Sequence, residues 1–272
     1  MPGSLYLVAT PIGNLEDITL RALRVLREAD VIACEDTRQT GKLLAHFDIA
    51  KPTVSYHEHN EAARTAELLA RLEAGAQVAL VSDAGTPLIS DPGYRLVTAA
   101  IAAGIAVVPV PGASAVLSAL AAAGLPTDAF RFCGFLPVKS TQRRKALELL
   151  RAETCTLIFY EAPHRILDTL ADITALLGDR PVAVARELTK FYEEFLRGTA
   201  EQVRAQLAAR PSVKGEITLL IGKGSSPVVP ENSIEDAVRE LEEKGVARMD
   251  AIKQVARERG LSKRDVYKTI SG

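Results

Sequence analysis

The chain reads as an α/β protein of two α/β domains, the first built on a mostly parallel sheet with helices on both faces, followed by a small helical unit. Three observations predict this. Short apolar runs at Leu5 to Val8, Val31 to Cys34, Thr53 to Tyr56, Val78 to Val81 and Ala106 to Val110 alternate with helix-like stretches. Three of these runs lead into loops rich in glycine, proline and small residues: Ala9 to Leu15, Ser82 to Gly93 and Pro109 to Ala115. The strand-and-helix pattern then resumes after Phe130 with a different spacing. Ligands of open α/β sheets sit outside the carboxyl ends of the strands, so three such loops in one half point to a shared binding site. Small residues let the backbone approach a ligand closely, and proline fixes a loop's shape before anything binds.

Taken in order, the first strand runs into Thr10-Pro11-Ile12-Gly13, and Thr19 is placed to cap a helix whose apolar residues are Leu20, Leu23, Val25 and Leu26. The loop between them has neither a Gly-x-Gly-x-x-Gly fingerprint nor a Gly-Lys-Ser/Thr ending, which disfavours a nicotinamide or nucleoside triphosphate cofactor. The uncharged stretch from Leu96 to Thr127 raises the question of a membrane span, which needs an unbroken apolar run of about 20 residues. Gly104, Pro109, Pro111, Gly112 and Gly124 break it into helix, strand and helix. Asp91 before Pro92 fits an N-cap followed by the first helical position, and Gly104 and Gly124 fit positions just past helix ends.

The second half carries strand-like runs at Arg131 to Leu136, Thr156 to Tyr160, Pro181 to Ala185, Glu193 to Gly198 and Glu216 to Ile221, with a charged amphipathic helix around Gln142 to Ala152. The expected division is residues 1–115, 116–224, a linker over 225–233 and a helical unit over 234–272. Within that unit, Ile234 to Glu243, Met249 to Glu258 and Lys263 to Ile270 are separated by Gly245 and by Gly260-Leu261-Ser262, with Ser262 and Asp265 in a capping-box pattern. The outline is that of a helix-turn-helix. Lys253, Arg257, Arg259, Lys263, Arg264 and Lys268 outnumber the acids over the last two helices, which suits either a nucleic-acid contact or the solvated face of a packing appendage.

A formal net charge of -1 excludes a broadly basic nucleic-acid coat but not a local basic patch. Cys34, Cys133 and Cys155 are scattered and odd in number, so neither a disulfide framework nor a zinc site is expected. The start of the chain lacks the features of a signal peptide, and a cytoplasmic protein is expected. His57-Glu58-His59 is the nearest approach to a metal motif; its histidines would share one strand face, and without a third ligand a surface or RNA-contact role is the better reading.

Together with Cys34-Glu35-Asp36-Thr37-Arg38, Tyr160 to Arg165 and Arg186 to Lys190, the three loops resemble the ribosomal RNA small subunit methyltransferase I family of the tetrapyrrole methylase superfamily, across the whole chain. The resemblance implies an interdomain cleft holding S-adenosylmethionine and a homodimer. It also implies transfer of a methyl group to the ribose 2′-oxygen of a cytidine, cytidine 1402, of 16S rRNA in the small ribosomal subunit. Carried over on the motifs, cofactor contacts fall on Pro11, Ile12, Gly13, Gly85, Thr86, Pro87, Ile89, Ser114, Ala115 and Tyr160. The chain departs from the superfamily's usual Gly-x-Gly-Pro-Gly-type loop at Thr10 to Gly13, and from Gly-Asp-Pro at Gly85-Thr86-Pro87. Both departures fit the rRNA branch better than the porphyrin branch.

A sulfonium donor is already activated, so alignment of oxygen, carbon and sulfur supplies most of what is needed, about 7–11 kcal/mol of the barrier. No metal or covalent intermediate is required. A base near the ribose hydroxyl would add about 10²- to 10⁴-fold. Asp36, Glu187 and Asp83 are the candidates, each with the alternative of capping a loop or pairing with a neighbouring cation. RNA contacts are expected from Arg38, Lys139, Arg143, Arg144, Lys145, Arg165 and Lys190. Two other readings stay open: a small-molecule methylase acting on a tetrapyrrole, and a DNA-binding regulator whose α/β part senses a ligand.

Overall fold

The computed structural model describes residues 2–224, 233–259 and 261–271. The expected linker therefore lies outside the described residues apart from Ser233.

In the first half, β1 (Ser4–Val8), β2 (Val31–Cys34), β3 (Thr53–Ser55), β4 (Gln77–Val81) and β5 (Ala106–Val110) form one sheet in the order β3-β2-β4-β1-β5. Every pairing is parallel, so each connection is a crossover and both faces must be covered. Alternation along the strands divides the side chains between the faces. Leu5, Val31, Ala33, Val78 and Leu80 pack under α3 (Glu61–Glu73) and α4 (Tyr94–Ala102). Val8, Ile32, Cys34, Ala79 and Val81 meet α1 (Leu20–Glu28) and α2 (Thr37–His46). Thr19 caps α1 by accepting from the Ala22 amide at 3.0 Å.

One expected helix start is corrected. Asp91 does not cap α4; the helix begins at Tyr94 with Gly93 as its N-cap. Leu88 and Ser90 adopt left-handed backbone conformations and Gly93 sits at φ 138°, so the chain keeps turning past Pro92 and leaves Asp91 in the loop. Gly104 and Gly124 do follow helix ends, at φ 70° and 73°.

The second half holds β6 (Phe130–Phe135), β7 (Thr156–Glu161), β8 (Pro181–Arg186), β9 (Glu194–Thr199) and β10 (Ile217–Ile221) in the order β6-β7-β10-β8-β9. Only β6 and β7 pair in parallel. One face of this sheet is covered by α6 (Ser140–Leu149), α7 (Ile166–Leu177) and α8 (Ala200–Ala208). Its other face presents Ile158, Ala183, Ala185 and Leu220 to α5 (Ala115–Ala122), which buries Val116, Ala119 and Leu120 there. The helix that directly follows the first sheet thus belongs to the core of the second. Ile12, from the first loop, enters the same cluster.

At the C-terminal end, α9 (Ile234–Glu243), α10 (Arg248–Glu258) and α11 (Lys263–Ser271) enclose a small core of Val238, Ala251, Ile252, Val255, Ala256 and Val266. Ser262 accepts from the Asp265 amide at 3.1 Å and donates its hydroxyl to the Asp265 carboxylate at 2.6 Å. That closes the helix start without the reciprocal backbone bond of a full capping box.

Candidate active site

The three loops of the first half are tied to one another by backbone. Thr10 and Gly85 exchange both amide-to-carbonyl bonds, at 2.9 and 3.1 Å, and the Thr10 hydroxyl donates to the Ser82 carbonyl at 3.1 Å. The Thr86 hydroxyl reaches the Ala113 carbonyl at 3.3 Å, joining the second loop to the third. Gly85 has φ 83°, and a Cβ there would lie 3.3 Å from Ile12 Cγ2, so glycine serves both the turn and the close approach.

Opposite this wall stand residues of the second half, and between them lies a cavity of about 460 Å³. Ile12, Asp83 to Thr86, Ile89 to Asp91, Ser114 and Ala115 line it on one side; Phe135, Tyr160 to Pro163, Ala185, Leu188 and Gly215 to Thr218 line it on the other. The Tyr160 ring is fixed by Phe132 and Phe135, with centroids 4.9 and 5.5 Å away. Among the described residues, four of the five non-glycine residues with positive φ, namely Leu88, Ser90, Glu187 and Thr189, lie in the loops 82–93 and 187–193 that border the cleft. Strain held in this way clusters at ligand sites.

Of the expected cofactor contacts, Ile12, Gly85, Thr86, Ile89, Ser114, Ala115 and Tyr160 come together here. Pro11 and Gly13 do not; they line a second cavity of about 530 Å³ with Leu15, Gln39, Lys42, Leu43 and Lys190. Pro87 lines neither and is buried behind its loop. The first cavity has the size of a small-molecule site, apolar walls and a few convergent polar groups. Its apolar side suits a flat heterocycle. Its acidic edge, Asp83 with Asp91, suits a cationic ligand such as a sulfonium or an ammonium group.

Asp91, whose place before Pro92 carries the signature of a helix cap, lines this cavity instead. Burial, with Glu35 and Asp83 nearby, pushes its carboxyl up to about 6. Glu35 is itself raised by burial and by Asp83, and the Tyr160 phenol is raised by burial and by Asp91. The available signal was a carboxylate inside a loop of small residues.

The expected bases fare differently. Asp36 caps α2 and is gripped by Arg38 through the backbone amide at 2.8 Å and guanidinium bonds at 3.1 and 2.7 Å, which hold its carboxyl at about 2. It lines neither cavity. Glu187 accepts from the Glu216 amide at 2.9 Å and from Lys190 at 3.0 Å, its carboxyl is lowered, and it too lines neither. Both serve as loop and helix anchors, the alternative that the sequence left open. Asp83 lines both cavities, and its Oδ1 accepts from the Asp36 amide at 3.0 Å.

Two expected RNA contacts are corrected because they lie inside the protein. Arg143 donates to Asp172 at 2.8 Å with side chains only 5% and 10% exposed, and Arg165 pairs with the fully buried Glu161 carboxylate. Arg144 shares Asp172 at 2.7 Å while remaining half-exposed, and Lys139, the N-cap of α6, and Lys145 on it are exposed and line neither cavity. Arg38 is exposed but paired, and Lys190 sits between Glu187 and Glu216. His57 to His59 follow the end of β3 in a turn closed by Asn60, whose Oδ1 accepts from the His57 amide at 2.9 Å, so the two rings do not share a strand face. Among the described residues no cluster of three or more metal-ligating side chains exists, and no helix is long and apolar enough to cross a membrane.

The family model for Tetrapyrrole (Corrin/Porphyrin) Methylases matches residues 4–204. The ribosomal RNA small subunit methyltransferase I of Halalkalibacterium halodurans is 54% identical over 271 residues, covering 97% of this chain and 93% of that protein. Its counterpart in Synechocystis is 51% identical over 269 residues, 97% of this chain and 96% of that one. Among solved structures, a uroporphyrin-III-C-methyltransferase of Thermus thermophilus superposes with a TM-score of 0.54 at 27% identity, covering 81% of this chain and 94% of that one.

Proposed function

The chain belongs to the tetrapyrrole methylase family, and we propose that it transfers the methyl group of S-adenosylmethionine to the ribose 2′-oxygen of a cytidine in 16S rRNA of the small ribosomal subunit, cytidine 1402 in the finer form of the reading. Methylation of ribosomal RNA is what the half-identical relatives are named for. The observation that carries the reading is the cavity between the three stitched loops and the Tyr160 wall. Asp83 and Asp91 give it a negative edge, and apolar residues from both halves give it flat sides.

When bound, the donor supplies a methyl group on a sulfonium, which needs no further activation. Ile12, Ile89, Ala115, Ala185 and Leu188 exclude water and offer the flat apolar contact that an adenine needs. Thr86, Ser114 and Thr218 supply hydroxyls, and the acidic edge stabilises positive charge. Three backbone-tied loops hold these groups still, and that positioning is worth about 7–11 kcal/mol. Asp91 is the preferred acceptor for the ribose proton, because a carboxyl raised to about 6 is far better matched to neutral pH than Asp36 at about 2. In this reading residues 1–115 and 116–224 are the two domains, the 234–272 unit helps to hold RNA, and a homodimer acts in the cytoplasm where small subunits are found.

The test supplies radiolabelled S-adenosylmethionine with small subunits, with naked 16S rRNA and with uroporphyrinogen in parallel. Label in a 2′-O-methylcytidine of the subunit RNA supports the proposal. Label only in uroporphyrinogen replaces it with the tetrapyrrole reading, which the 27% identical Thermus thermophilus enzyme keeps in view.

A further inference from the structure

The second cavity, about 530 Å³, adjoins the first: Ile12, Asp83, Ala84 and Glu216 line both. In-line transfer places the acceptor oxygen on the far side of the methyl group from sulfur, so the acceptor must occupy space next to the donor. The walls of the two differ in the way that demands. The second is bordered by Gln39 and Lys42 of α2 and by Lys190 of the 187–193 loop. Lys42 is exposed, makes no ion pair among the described residues and bonds only the Gln39 side chain at 3.2 Å. Gln39 carries both a donor and an acceptor, as reading a base edge requires.

The 187–193 loop adds an independent observation. It is firmly closed: the Lys190 amide donates to the Glu187 carbonyl at 3.0 Å, the Glu193 amide to the Lys190 carbonyl at 3.0 Å, and the Thr189 amide to the Glu193 carboxylate at 2.6 Å. Arg186 holds the Tyr192 carbonyl at 3.2 Å. This ordered loop nevertheless shows Phe191 92% and Tyr192 68% exposed, their rings 4.9 Å apart and perpendicular. Phe191 and Tyr192 follow directly on Lys190, which lines the cavity, and are themselves outside its lining. Rigid, exposed aromatic faces beside a cation are how proteins hold an unstacked base of single-stranded RNA.

We infer that the second cavity is the acceptor-nucleotide pocket, with Lys42 taking a backbone phosphate and the Phe191–Tyr192 pair stacking on an unstacked base at its rim. The inference rests on the methyl-transfer reading above. No bond is made or broken by these residues; they are positioning groups.

The variants are Lys42→Gln, the double variant Phe191→Ala with Tyr192→Ala, and the conservative Phe191→Tyr with Tyr192→Phe. All four readouts use the full chain: calorimetric affinity for S-adenosylhomocysteine, affinity for small subunits and for a short oligocytidylate, subunit methylation, and oligomeric state by sedimentation. The double alanine variant is expected to bind both RNA probes and methylate subunits about fivefold or more worse, with donor affinity unchanged and the conservative variant close to wild type. Lys42→Gln should weaken RNA binding and make its salt dependence shallower by about one unit of slope. Variants that bind and methylate like wild type overturn the inference. So does an alanine variant that loses only its self-association, which would make the aromatic pair an interface between copies. A wild-type protein that binds the donor but neither binds nor methylates RNA overturns the functional reading itself.

Discussion

Glu161 accepts from the Thr169 hydroxyl at 2.7 Å and pairs with Arg165, while the residue lines the first cavity. A single buried carboxylate therefore joins the end of β7 to α7 and to the site. Its guanidinium partner is only 9% exposed and Glu161 not at all, which sets the sign of what removing either one does.

Arg165→Ala leaves the Glu161 charge buried without its partner, so the variant should lose about 3–5 kcal/mol of stability. Adding Glu161→Gln to it should restore part of that. Urea unfolding of the three proteins checks this. An Arg165→Ala protein as stable as wild type would show that the pair contributes nothing and reopen a phosphate-binding role for Arg165.

The Asp91 carboxyl is raised from 3.8 to about 6 in the fold, so the native state holds its proton more tightly than the unfolded chain does. Its stabilising contribution is full below 3.8 and is lost as the pH rises through about 6. Asp91→Asn, which cannot ionise, should therefore gain stability over wild type across that window, and hold the gain at neutral pH. Its methylation should fall sharply, and the wild-type rate should climb with a midpoint near 6 if the carboxylate takes the ribose proton. Thermal unfolding at several pH values and a pH–rate profile separate the two effects. A flat profile would remove Asp91 from the proton transfer.

Gly85→Ala and Gly104→Ala make a matched pair. Both glycines have positive φ, 83° and 70°, and each substitution should cost about 1–2 kcal/mol from backbone strain alone. Only at Gly85 does the new methyl meet a cavity-lining neighbour, Ile12, while Gly104 has nothing within 4 Å. Calorimetry should show weakened S-adenosylhomocysteine binding for the first and wild-type binding for the second. Equal affinities would mean that the Ile12 contact does not shape the site.

Lys263, Arg264 and Lys268 are exposed on α11. Changing all three to glutamate should reduce small-subunit methylation and flatten its salt dependence, with donor affinity unaltered. Normal methylation would assign the helical unit to packing alone.

Elements whose signal is local were legible in the sequence. Val31–Cys34, Ala106–Val110 and Ile234–Glu243 fall where apolar patterning and flanking turn residues put them. So was the gathering of Ile12, Gly85, Thr86, Ile89, Ser114 and Ala115 around one cavity, because strand ends face a common cleft in any open parallel sheet. What failed was decided by distant partners. Arg143 looks like a surface residue until Asp172, on another helix, takes it inside. Asp91 before Pro92 carries a cap signature, and the left-handed turns at Leu88 and Ser90 cancel it. The far wall, with Ala185, Leu188 and Thr218, follows from a strand order in which β10 sits between β7 and β8, and no local pattern encodes that order.

That strand order also has a cost during synthesis. All of the first-half walls exist once Ala115 has been made, and α5 follows at once with Val116, Ala119 and Leu120 ready to be buried. Their cover comes from Ile158 of β7, Ala183 of β8 and Leu220 of β10, and among the described residues β10 is the last strand to be translated although it occupies the middle of its sheet. At elongation rates of about 5–20 residues per second, roughly 5–20 s separate α5 from Ile221. For that interval the nascent chain carries an incompletely covered apolar helix beside a finished first sheet, a natural station for a holdase chaperone. Stalled chains that end before β10 should co-sediment with such chaperones and fail to retain S-adenosylhomocysteine, because the last strand made is the one that closes the pocket.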